Sequence, residues 1–137
     1  MEIRKLALIL VAGSLTGCST STSKEENLET INFHKYAYSI CIGSAFNSNE
    51  VKEDANRSAN GHMEHGNISL DSYEELRMRI DSWLAKHYES KSGKSLQIMK
   101  CNDFFYSGEI QEIYDKYDPC VSKDGWLDEA DFKRQCN

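Results

Sequence analysis

The sequence predicts an all-α protein, a compact bundle of about five helices, and three observations carry that expectation. Apolar residues recur at three- and four-residue spacing through most of the chain, the signature of helices with one buried face. No run alternates with period two for long enough to require a sheet. The composition is that of a globular domain, with 39% hydrophobic and 28% charged residues and a single proline. At 137 residues the chain has room for one domain of ordinary size.

The first helix is expected over residues 30–46, where Phe33, Tyr36, Ala37, Ile40, Ser44 and Ala45 fall at helical spacing. Asn47-Ser48-Asn49 interrupts it and offers caps for a second helix. That helix carries Val51, Ala55, Ser58 and Ala59 on one small-residue face, which a neighbour can approach closely, and ends between Gly61 and Gly66. Ser72-Tyr73-Glu74-Glu75 fits a capping box for the third helix. Behind it Tyr73, Leu76, Ile80, Trp83, Leu84 and His87 form one stripe, which assigns His87 a half-buried packing role. A polar loop, Glu89 to Lys94, leads to a fourth helix from about Ser95 with Leu96, Met99 and Phe104 or Phe105. Ser107 is placed to cap a fifth, with Ile110, Ile113, Tyr114 and Tyr117 inward.

The N-terminus reads differently. Arg4 and Lys5 precede an apolar run from Leu6 to Ala12, too short to span a bilayer and typical of an export signal. Leu15-Thr16-Gly17-Cys18 then resembles the lipobox of bacterial lipoproteins. That resemblance implies removal of residues 1–17 and acylation of Cys18, with Ser19 behind it favouring the outer membrane. Residues 18–29 become a lipidated, flexible tether, residues 30–117 the helical domain, and residues 118–137 a C-terminal extension. With Cys18 lipidated, Cys41, Cys101, Cys120 and Cys136 form an even set in an oxidising compartment, which suggests two disulfides with three connectivities. The helix layout favours Cys41 with Cys101, bridging the first and fourth helices, and Cys120 with Cys136, stapling the extension.

A formal charge of −6, or −7 after processing, disfavours nucleic-acid binding and is compatible with a basic protein partner. Candidate chemical centres are weak. His62-Met63-Glu64-His65 supplies two imidazoles where zinc needs three or four ligands, and His34 has no companion in sequence. Cys-His nucleophilic catalysis needs a free thiolate, which paired cysteines do not provide. Residues 120–131 resemble an EF-hand loop, with Asp124, Gly125, Leu127 and Asp131 in register, but Cys120 stands where a carboxylate is required and Ser122 at the third position. The expectation is a protein that is not an enzyme, with no metal and no cofactor.

Further stretches resemble a known family. Tyr38 to Phe46, Lys52 to Ala59, Ile80 to Glu89 and Met99 to Ser107 look like the type VI secretion amidase immunity proteins, over roughly residues 33–110. The resemblance implies a small helical periplasmic protein, often a homodimer, that binds and blocks a peptidoglycan amidase effector. In that family a protruding loop enters the effector's active-site groove. The matching segment here is Tyr88, Glu89, Ser90, Lys91, Ser92, Gly93 and Lys94, a polar loop between two strongly patterned helices. Two other functions suit the same residues: an envelope lipoprotein acting as a scaffold, and a lipoprotein that binds Ca²⁺ through the degenerate C-terminal loop.

Overall fold

The computed structural model describes residues 28–121 and 126–136. The export signal, Cys18 and most of the tether lie outside the described residues, as do Ser122, Asp124 and Gly125 of the EF-hand-like loop. Among the described residues there are six helices and no named strand: α1 (Leu28–Ala45), α2 (Asn49–Met63), α3 (Leu70–Leu84), α4 (Gln97–Phe105), α5 (Glu109–Lys116) and α6 (Glu129–Cys136). The first five are those the periodicity predicts. None of the described helices is long and apolar enough to cross a membrane.

α1 is the axis of the bundle and packs against α2, α3, α4 and α5. Its buried face is Phe33, Tyr36, Ala37, Ile40 and Cys41, an i, i+3, i+4, i+7, i+8 stripe. The core joins this stripe to Leu76 and Ile80 of α3, Cys101 and Phe104 of α4, and Ile110, Ile113 and Tyr114 of α5. Phe33, Tyr36 and Tyr73 meet edge to face or tilted, with ring centroids 4.6 and 5.4 Å apart, geometry in which one ring's positive edge meets another's negative face. The small-residue face of α2 acts as expected. Ala55 and Ala59 are buried, and a Cβ added at Gly43 of α1 would lie 3.0 Å from that of Ala55.

Both disulfides join the expected partners. Cys41 and Cys101 are bonded at 2.06 Å across α1 and α4, and Cys120 and Cys136 at 1.97 Å. The second closes a local unit in which Trp126 donates to the Pro119 carbonyl at 2.9 Å and stacks edge-on against Phe132. Among the described residues, α6 packs against none of the other five helices.

Several local expectations are corrected. α3 starts at Leu70 with Ser69 as its N-cap, so Ser72 is not a cap; it is buried, and its hydroxyl donates back to the Ser69 carbonyl at 2.7 Å. Leu70 and Asp71 are both helical, which moves the capping position three residues upstream of the box. His87 is not half-buried: α3 stops at Leu84, so the stripe ends before reaching it, and His87 sits exposed beside Glu89. The cap of α5 is Gly108, at φ +83°, a left-handed conformation that costs any residue with a Cβ about 1 kcal/mol. Ser107 helps from one residue upstream by accepting from the Glu109 N–H at 3.3 Å. Leu28 and Glu29, read with the tether, are helical, and the buried Glu29 carboxylate accepts from the Asn67 N–H. Burial of that carboxyl raises its pKa despite this bond and a second backbone bond from Ile68.

Candidate partner interface

Between α3 and α4 the chain turns outward. Glu89 and Ser95 form an isolated antiparallel bridge, flanked by a Leu96 N–H bond to the Tyr88 carbonyl at 3.2 Å. Inside it, Ser90 N–H donates to the Lys94 carbonyl at 2.8 Å and Gly93 N–H to the Ser90 carbonyl at 2.9 Å. Gly93 has φ +73°, which completes the three-residue loop common in hairpins. The Ser90 hydroxyl accepts from the Lys94 N–H at 3.1 Å and lies 2.9 Å from the Ser92 hydroxyl. The segment expected as a polar loop is a hydrogen-bonded hairpin, because its serines and one left-handed glycine satisfy the turn's own amides.

The base of this hairpin is fastened to the bundle. Lys100 is buried in α4, and its ammonium donates to the Leu84 carbonyl at 2.7 Å, at the C-terminus of α3. A cation there pairs with a carbonyl that has no helical donor and with the negative end of the helix dipole. In return Trp83 of α3 donates its indole N–H to the Lys100 carbonyl at 2.9 Å, and Lys86 lies 3.0 Å over the Trp83 ring. The Asp103 carboxylate beside Tyr88 raises the phenol's pKa. The tip beyond these fastenings presents Glu89, Lys91, Ser92, Gly93 and Lys94, all exposed. Glu89 lies 3.4 Å from His87. What such a tip can do is enter a cleft with small polar groups, one carboxylate and two ammonium groups.

The other sequence candidates stand apart from it. Cys41, Cys101, Cys120 and Cys136 are all disulfide-bonded. His34 lies 3.2 Å from the Gln111 amide oxygen and meets Phe105 edge-on. His62 is half-buried at the end of α2, and His65 is exposed just beyond that helix. Among the described residues no group of three or more His, Cys, Asp or Glu side chains is placed to hold a metal ion.

A second surface escaped the sequence. Two hollows of about 360 and 410 Å³ run along α1 and share Lys35, Phe105 and Tyr106. Tyr38 and Tyr106 each meet Phe105 edge-on, at 5.7 and 5.1 Å between centroids. Two signals pointed here. α1 has apolar residues on more than its core face (Leu28, Ile31 and Tyr38), and Phe104-Phe105-Tyr106 cannot all face inward on one helical turn.

Comparison with known families gives a match. Residues 31–114 match the family model Tai4, described as type VI secretion system (T6SS) amidase immunity protein. That span contains α2 to α4 entire and with them the hairpin. Comparison with curated proteins finds no match.

Proposed function

The chain belongs to the type VI secretion system amidase immunity family, and from that premise we propose that it binds and blocks a peptidoglycan amidase effector in the periplasm, with the 88–94 hairpin as the blocking element. The family match over residues 31–114 carries the reading. The hairpin supports it in detail, because a concave active-site groove is closed by a protruding segment and not by a flat helix face. Fastening at Lys100 and Trp83 lowers the entropy lost when the tip is immobilised, and that pre-organisation favours tight inhibition. Serine and glycine at the tip fit a narrow cleft, and the Glu89 carboxylate suits an imidazolium of a Cys-His centre.

The protein acts by stoichiometric occupation and not by turnover. It reaches its place of action as a lipoprotein acylated at Cys18 and held at the outer membrane, and it works as a homodimer. Replacing residues 90–94 with a short Gly-Ser link tests the central claim. Helical circular dichroism should stay nearly unchanged, and inhibition of the cognate amidase should fall more than tenfold, or about 1.4 kcal/mol of binding. Undiminished inhibition by the shortened protein would move the blocking surface elsewhere. Muropeptide release by the purified protein alone would replace inhibitor with enzyme.

A further inference from the structure

The trough along α1 has a charge opposite to that of its surroundings. The whole chain carries a formal −6, yet the described residues lining the two hollows include Lys35, His34 and His62 and no Asp or Glu. The neighbouring hollow between α1 and α2 is lined by Glu50 and Asp54, so the absence of acids is particular to this trough. Lys35 is exposed and belongs to both hollows. Its charge already acts inside the trough, since it adds to burial in lowering the His62 pKa.

The floor is aromatic. Tyr106 is 83% exposed, held edge-on by Phe105, and leaves a ring face open to solvent. An exposed tyrosine braced against a second ring is the kind of side chain that anchors protein interfaces. From Ile31 to Ser39 the trough follows nine residues of α1, about 12 Å at the helical rise. That length accommodates roughly three to four residues of extended peptide. Ile98, Asn102 and Tyr106 fall at i, i+4 and i+8, so the trough and the hairpin end of α4 lie along one helix face.

We propose that this trough docks an acidic, extended peptide segment of a protein partner, with a carboxylate at Lys35 between His34 and His62 and an apolar or aromatic side chain on Tyr106 and Phe105. A polyanion such as nucleic acid is repelled by the chain's net charge. A segment with one or two carboxylates among apolar residues satisfies both the cation and the aromatic floor. The inference does not depend on the hairpin, and each surface can be lost without the other.

The test uses the oxidised full chain carrying Cys18→Ser, titrated with acetyl-GELYDGG-amide and the charge-reversed acetyl-GKLYKGG-amide while amide and aromatic NMR signals are followed. The acidic peptide should bind with a dissociation constant below about 1 mM, shifting Lys35, His62, Phe105 and Tyr106. Binding should lift the His62 pKa, whose ionisable neighbours along the lining are Lys35 and the phenols of Tyr38 and Tyr106. Lys35→Glu should weaken the acidic peptide at least about tenfold and improve the basic one, and Lys35→Arg should restore wild-type behaviour. Because Lys35 is exposed, melting of both variants should match the wild type. Equal binding of the two peptides, shifts outside the trough, or no binding would overturn the proposal. So would movement of the same signals on raising protein concentration without peptide, which would assign the face to a second copy of the chain.

Discussion

Removing the Cys41–Cys101 bridge by Cys41→Ala with Cys101→Ala should lower the melting temperature of the helical body far more than removing Cys120–Cys136 in the same way. The first bridge closes a sequence separation of 60 residues and the second one of 16. In the chain-entropy description these correspond to about 4 and about 3 kcal/mol of constraint on the unfolded chain. The larger difference comes from where the constraint acts. Both sulfurs of the first pair are fully buried in the core between α1 and α4, so alanines there also leave a void. The second pair closes a unit whose helix packs on no other helix among the described residues, so its loss frees α6 without touching the core. For a body of this size, a few kcal/mol translate into a melting decrease of roughly 10 °C or more. The second double variant should melt within about 2 °C of wild type, for want of coupling. Differential scanning calorimetry of oxidised protein decides it. Equal losses, or a larger loss for the Cys120–Cys136 variant, would refute the separation of body and extension.

Other outcomes follow from single contacts. Lys100→Met should cost roughly 1–3 kcal/mol by leaving the Leu84 carbonyl without its charged donor, and should speed amide exchange at Ser90 and Gly93. Gly93→Ala places a Cβ at φ +73° and should weaken the hairpin by about 1 kcal/mol, visible as lost nuclear Overhauser contacts between Glu89 and Ser95 while the bundle melts normally. Burial pushes Tyr73 and Tyr114 up to about 12 from 10.0, so the folded state keeps protons that the unfolded chain releases first. Stability should therefore fall from pH 10 upward, by about 1 kcal/mol per tyrosine at pH 11, with Tyr114→Phe flattening the decline. Glu75 behaves oppositely: bonds from Lys116 and Tyr117 lower its pKa, so its contribution is present above the ordinary carboxyl range and lost as pH falls through the lowered value, and Glu75→Gln should remove that acid dependence. Radiolabelled palmitate should enter wild type and not Cys18→Ala, and equal labelling would remove the lipid anchor.

The helices and their inward faces were legible because burial imposes a 3.6-residue period that needs no partner to be seen. Phe33, Tyr36, Leu76, Ile80, Ile110 and Ile113 declare themselves in this way, and the small residues Ala55 and Ala59 announced a close helix contact. The cysteine pairing also followed, since Cys41 and Cys101 sit beside apolar residues on two patterned helices and Cys120 and Cys136 are left to pair locally. The segment from Tyr88 to Lys94 could be singled out by polarity alone. Its shape could not, because the hairpin depends on hydrogen bonds among Ser90, Gly93 and Lys94 and on a fastening at Lys100, a lysine that looks like surface until Leu84's carbonyl is beside it. Ser72 misled for the same reason, its hydroxyl finding Ser69 once packing had started α3 a turn earlier. The trough is purely tertiary. Lys35, His62 and Phe105 come from three helices, and nothing along the chain brings their charge and aromatic surface together until α1, α2 and α4 have packed.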